Sequence, residues 1–168
     1  MIIMFVRHAE AKENVLTELG RKQCEIMCEQ EENYVFSKIY CSTVDRCKET
    51  AEYLKTKHKL EVEYFDSLKD REVLNQKPET DEEWEWYNNY LNKNYSHSKP
   101  EGCKEFLQRN FAVFDKIIQA HKGKKENVIL VAHSCTFYAI QEYLNASKGE
   151  NINYCRLSNC GRVYFEIN

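Results

Sequence analysis

Glycine is scarce in this chain, with five residues in 168. A phosphate-cradling loop of the Gly-x-Gly-x-x-Gly or Gly-x-x-x-x-Gly-Lys kind needs glycines close together, so that backbone N–H groups can approach the ligand. No such cluster occurs, which argues against a nucleotide-binding module. The eight cysteines form no Cys-x-x-Cys pair and no metal-ligand spacing, so no metal and no cofactor is expected. No apolar run approaches transmembrane length. The opening run Met1–Val6 is too short for a secretory signal and has no basic flank. Net charge is −3, without any Lys/Arg-rich run, so neither nucleic acid nor a membrane surface is expected as a partner. Repeats, linkers and low-complexity tracts are also missing. The cysteines therefore read as reduced thiols of a cytoplasmic protein. Cys41, Cys47, Cys135 and Cys155 fall in apolar or motif segments, where free cysteine behaves as a small buried hydrophobe.

What is present begins with an apolar run that stops abruptly. Met1 to Val6 ends at Arg7 and His8, and Asn127 to Ala132 ends in the same way at His133. Short apolar runs bounded by polar residues are the pattern of fully buried strands. In an open α/β sheet, ligands bind beyond the carboxyl ends of such strands. If the two strands are parallel neighbours, His8 and His133 converge on one site.

The remaining segments fit an α/β chain, folded as a three-layer α/β/α sandwich with a mostly parallel central sheet. At 42% hydrophobic and 30% charged, 168 residues suffice for one domain with its own core. Arg7 to Asn14 reads as a loop. Thr17 is a candidate N-cap for a helix to about Glu31, with Leu19, Ile26 and Met27 as its apolar face. A strand is expected over Val35–Cys41, a helix over Thr43–Lys57 and a strand over Leu60–Phe65. An insert follows at about 66–100, where Thr80 and Glu83 form a capping-box signature. Its helix is expected to pack Trp84 and Tyr87 against the body. A long amphipathic helix over Glu101–His121 precedes the His133 strand, and a helix after Ser134 and an edge strand over Arg162–Ile167 close the chain. His58, His97 and His121 lie in charged or loop-like contexts and read as surface residues.

Five blocks carry a family resemblance. Arg7-His8-Ala9-Glu10-Ala11 with Asn14 resembles the Arg-His-Gly-x-x-x-x-Asn opening of the histidine phosphatase (phosphoglycerate mutase-like) superfamily. Leu16-Thr17-Glu18-Leu19-Gly20-Arg21-Lys22-Gln23 resembles its Leu-Thr-x-x-Gly-x-x-Gln block. Ser42-Thr43-Val44-Asp45-Arg46, continuing to Thr50-Ala51, resembles its Ser-x-x-x-Arg-x-x-x-Thr-Ala segment. Val131-Ala132-His133-Ser134 is similar to the second-histidine block, and Leu157-Ser158-Asn159-Cys160 to a late Asn-Cys turn. They occur in family order along nearly the whole chain.

The resemblance implies a metal-independent acid phosphatase-type hydrolase that passes through a phosphohistidine. His8 would be the phosphoryl acceptor, because covalent catalysis divides one hard displacement into two easier ones. Arg7 and Arg46 would bind phosphate oxygens through their planar, permanently charged forks. His133 would be a further donor, protonated while a dianion is bound. Asn14 would add an uncharged donor, while Ser42 and Ser134 would line the pocket rim. Read on its own, Arg46 could instead pair with Asp45 or Glu49 on the surface, and Asn14 could be a turn residue. The family's Leu-x-Glu acid is matched by Leu68-Lys69-Asp70, one methylene shorter. Asp70 is therefore the candidate general acid, with Glu72 as its alternative.

Two positions depart from the pattern. Ala9 stands where glycine is usual, which requires a negative φ there, and Ala11 replaces a hydroxyl residue. The compact chain favours hydrolysis of a small cytoplasmic phosphomonoester over a mutase reaction. A non-catalytic phosphate-binding domain of the same fold is the other alternative. Oligomeric state and natural substrate are open.

Overall fold

The computed structural model describes residues 1–30, 33–71, 78–148 and 157–167. A five-stranded sheet forms its centre, made of β1 (Ile2–Arg7), β4 (Phe36–Ser42), β5 (Val62–Phe65), β6 (Asn127–Ala132) and β7 (Arg162–Glu166). Their order is β5-β4-β6-β1-β7, parallel throughout except for the antiparallel edge strand β7. The apolar runs of β1 and β6 are buried on both faces, as strands between two helical layers must be. Ile3 and Phe5 point into one core with Val128, Leu130 and the helices α4 (Cys103–His121) and α5 (Ser134–Lys148). Met4 and Val6 point the other way, with Ile129, Val131 and residues of α1 (Glu18–Glu29) and α2 (Asp45–His58). The side-chain period of two distributes one apolar run over two cores.

The α1 face differs from the sequence expectation. Gly20, Cys24 and Met27 are buried, whereas Leu19 and Ile26 are 58% and 50% exposed. The cause is a close approach: a Cβ on Gly20 would lie 2.0 Å from the carbonyl oxygen of Glu10. Only the glycine side of the helix can meet the segment that follows β1. Thr17 caps α1 as expected, accepting from the Gly20 amide at 3.1 Å.

The Arg7–Asn14 segment is also more ordered than a loop. It contains β2 (Ala11–Lys12), paired with β3 (Val15–Leu16) across the two-residue turn Glu13-Asn14. Both turn residues have positive φ, 49° and 70°, as a tight hairpin of this length demands.

In the insert, α3 (Asp81–Asn88) begins with the expected capping box of Thr80 and Glu83. It buries Trp86, while Trp84 and Tyr87 are exposed, correcting the expected inward pair. Trp86 is selected by its partners: Arg71 lies over its ring, Tyr90 meets its edge, and its Nε1 donates to the Glu101 carbonyl at 3.2 Å. His121 is a second correction. It is buried at the end of α4, with Nε2 2.8 Å from the Tyr40 hydroxyl and Nδ1 2.6 Å from Glu126. His97 is partly sheltered as well, between the Pro100 carbonyl and Glu82. Among the described residues no helix is long and apolar enough to cross a membrane.

Candidate active site

Strand register brings the two histidines together. Val6 pairs with Val131 and Arg7 with Ala132, so β1 and β6 leave the sheet at one level. The His8 amide donates to the Ala132 carbonyl at 3.0 Å, and the imidazoles stand 5.3 Å apart, centre to centre, at 64°. Each is buried.

Hydrogen bonds determine which nitrogen of each ring carries the proton. His8 Nδ1 is 2.7 Å from the Ala9 carbonyl, which can only accept, so Nδ1 holds the proton and Nε2 presents its lone pair. Into that lone pair Arg46 Nε donates at 3.1 Å. His133 has the opposite tautomer: Arg46 Nη2 donates to its Nδ1 at 3.1 Å, leaving Nε2–H to donate to Ser42 Oγ at 3.0 Å. Burial, helped by Arg46 and Arg7, lowers the His8 pKa to about 4. Burial also lowers that of His133 to about 3, with Arg46 and His8 acting in the same direction against Asp70. Both rings are therefore neutral near pH 7.

Arg46 is the hub. Besides the two imidazoles, it donates through Nη1 to Asn14 Oδ1 in a short contact and through Nη2 to Asp70 Oδ2 at 3.0 Å. The α2 helix places it there, and Thr50 one turn on fixes the backbone. Thr50 Oγ1 donates to the Arg46 carbonyl at 2.8 Å and accepts the Ala9 amide at 3.0 Å. Ala9 is itself fully buried and does not adopt positive φ, which explains why alanine serves where glycine was expected.

His8, His133, Arg46, Asn14, Ser42 and Asp70 thus meet in one network. Asp70 Oδ2 also lies 3.6 Å from His133 Nδ1, and its Oδ1 accepts the Arg71 amide at 3.1 Å. Arg7 is the last residue of β1. Its Nη1 donates to the Leu157 carbonyl at 2.7 Å, and its charge reaches His8 as a field. Ser134 is the half-buried first residue of α5, one step beyond His133. Glu72 lies outside the described residues. Cys41 and Cys47 are buried, and burial holds both thiols protonated, as small hydrophobes. Cys135 is half-buried with its thiol pushed up to about 11, and Cys155 lies outside the described residues.

Several supporting side chains escaped the sequence reading, although some were inside its quoted blocks. Gln23 Oε1 accepts the Glu10 amide at 2.9 Å, so Gln23 and Thr50 satisfy the two amides after His8. The Leu157–Cys160 turn has the same role from the other side: the Cys160 amide donates to the Arg7 carbonyl at 3.1 Å. No signal in the sequence points to Arg109, whose guanidinium holds the backbone of the Asp70 segment.

Beside Arg46 opens a cavity of about 570 Å³, lined by Asn14, Lys69, Asp70, His97 and Lys99 among others. The insert forms its outer wall. Lys69 pairs with Asp66 at 2.9 Å, so the walls carry both signs of charge.

Residues 3–168 match the family model described as histidine phosphatase superfamily (branch 1). A probable phosphatase of Schizosaccharomyces pombe is 23% identical over 94% of this chain and 79% of its own length. The structure of Bacillus stearothermophilus YhfR superposes with a TM-score of 0.76 at 20% identity, covering 99% of this chain and 91% of that one. A putative alpha-ribazole-5'-P phosphatase from Escherichia coli gives 0.74 at 19% identity, covering 100% and 91%. A match that runs from β1 to the last residue, over a site built from the two strand-end histidines, makes this chain a member of the histidine phosphatase superfamily.

Proposed function

We propose that the protein hydrolyses a small cytoplasmic phosphomonoester, without a metal, through a phosphohistidine on His8. The observation that carries this reading is the His8 tautomer: Nδ1–H is tied to the Ala9 carbonyl, and Nε2 faces the one guanidinium that also reaches His133, Asn14 and Asp70. A phosphoryl dianion entering there takes the Arg46 donors from the two rings. Its charge is then met by fixed cations and N–H groups rather than by a strong base. Nε2 attacks phosphorus, the P–O bond to the alcohol breaks, and the leaving oxygen takes a proton from the Asp70 carboxyl, which acquires it from solvent once Arg46 has turned from it to the phosphoryl group. In the second step water attacks the phosphohistidine, gives its proton to Asp70 and releases phosphate, which returns His8. Ser42 and His133, protonated at Nδ1 while the dianion is bound, bear on the same anion, and Arg7 contributes its charge.

The mixed-charge cavity supports a small, polar alcohol portion. An α-ribazole phosphate, the substrate class in the name of one structural neighbour, belongs to the range to be screened.

The test is hydrolysis of p-nitrophenyl phosphate and a phosphomonoester panel by the wild type and by His8→Ala, with EDTA present. Activity that survives chelation and vanishes in the variant supports the reading. Phosphate transfer to a second alcohol in place of water would make the chain a mutase. Phosphate binding without turnover across the panel would make it a binding domain.

A further inference from the structure

Arg109, in the middle of α4, spends every donor it has on one neighbourhood. Its Nη1 donates to the carbonyls of Ser67 and Lys69 at 2.6 and 2.8 Å. Its Nη2 reaches the Asp70 carbonyl at 3.4 Å and Glu101 Oε2 at 2.7 Å, and its Nε reaches Glu101 Oε1 at 2.6 Å. A guanidinium has five N–H groups, and these contacts use all five. None is left for a substrate, although the side chain borders the cavity. Its charge is balanced by the two-pronged pair with Glu101.

Those three carbonyls belong to the short segment that carries Asp70. A 3-10 turn (Asp66–Leu68), at whose end the Lys69 amide donates to the Asp66 carbonyl, is short and has poorer hydrogen-bond geometry than an α-helix. An outside clamp is needed to hold such a segment still. Glu101 ties the clamp to the insert: its own carbonyl accepts from Arg71 Nε and Trp86 Nε1, each at 3.2 Å. Arg71 is the residue whose amide orients Asp70 Oδ1. The carboxylate is therefore fixed from its own backbone, from the residue after it and, through Glu101, from α3.

We propose that Arg109, locked by Glu101, is a positioning residue for the Asp70 carboxyl group that donates the proton. The proposal rests on the reading of Asp70 as the general acid. Arg109 and Glu101 touch neither the phosphoryl group nor His8. They set the distance between the Asp70 carboxyl and the leaving oxygen, a quantity on which proton transfer depends steeply.

The experiment compares two substrates of the full-length protein that differ in their need for acid help, p-nitrophenyl phosphate and phenyl phosphate. Arg109→Gln and Glu101→Gln are expected to lower kcat for phenyl phosphate by about 10- to 100-fold, and for p-nitrophenyl phosphate by no more than about 3-fold. In an Asp70→Asn background, either substitution is expected to add less than about 2-fold to the loss for phenyl phosphate. Equal loss on both substrates, or additive loss in the Asp70→Asn background, overturns the positioning role and makes the clamp merely structural. If Arg109→Gln does not fold, Glu101→Gln and Arg109→Lys carry the same test, because lysine cannot span three carbonyls and a carboxylate. The two readings fail differently. Asp70→Asn without a leaving-group-dependent loss removes the acid assignment itself, whereas such a loss in Asp70→Asn alone removes only the clamp.

Discussion

Arg46 Nε donates to His8 Nε2 across 3.1 Å, so the nitrogen with the free lone pair is covered by the cation that would bind its target. That lone pair is thus masked by the site's own arginine. An anion must draw the guanidinium away before the imidazole is exposed. Arg46→Ala is expected to cost about 10²- to 10³-fold in kcat/KM toward an aryl phosphate, the usual loss for one preorganised donor to a reacting oxyanion. It should also raise the His8 pKa from about 4 part of the way toward 6.5, since burial remains and only the arginine's repulsion is lost. Proton-detected NMR of the His8 ring would measure the shift, and an unchanged value would detach Arg46 from the nucleophile.

Binding of an anion should take up a proton. The His133 pKa is lowered to about 3, and its Nδ1 accepts from Arg46 rather than donating. When a dianion takes the Arg46 donors, that nitrogen is free to be protonated and to donate in turn. Affinity for vanadate is therefore expected to strengthen as pH falls from 8 to 6. Titration calorimetry in two buffers of different ionisation enthalpy should show net proton uptake, which His133→Gln abolishes. Identical heats in the two buffers would contradict it.

The same lowered pKa values bear on stability. A histidine held neutral in the fold takes up protons more readily when unfolded, so stability is full above the unfolded value of 6.5 and is lost as pH falls. For His8 the loss extends from 6.5 to about 4, and for His133 to about 3. At roughly 1.4 kcal/mol per unit, His8 alone accounts for roughly 3 kcal/mol across that window. Thermal denaturation between pH 7 and 4 should show the slope, and it should be shallower in His8→Asn.

Gly20→Ala tests the close approach of α1. The added Cβ would meet the Glu10 carbonyl oxygen at 2.0 Å, and backbone cannot yield as a flexible side chain can. Overpacking of this kind costs about 1–3 kcal/mol, so Tm should fall by about 3–10 °C. Activity should fall as well, because Glu10 follows the His8–Ala9 pair. A neutral Tm would mean that α1 has room to shift.

Much of the molecule was legible beforehand, for identifiable reasons. A run such as Val128-Ile129-Leu130-Val131 is apolar on both sides, and only a strand between two layers uses both sides. Thr80 and Glu83 announced α3 because a capping box acts over three residues. What failed was the choice of face. Leu19, Ile26 and Met27 are all apolar, and nothing local says that Gly20 meets Glu10. Trp84, Trp86 and Tyr87 are likewise all aromatic, and the buried one was selected by Arg71 and Glu101. The β2–β3 hairpin, with two residues in each strand, is too short for any periodicity to register.

The residue pattern is enough to end two buried strands at His8 and His133, and so to put both at the mouth of a parallel sheet. That follows from hydrophobic patterning, a local property with a fixed period. It takes the packed fold to turn Arg7 to the Leu157 carbonyl and to give Arg46 both imidazoles, Asn14 and Asp70. That fold alone decided that Arg109 spends its five donors holding the Asp70 segment. Apart from the Arg109–Glu101 pair, eight residues apart, these hydrogen bonds join groups 24 to 150 residues apart. Their geometry is set by how the elements pack, and no short window of sequence contains it.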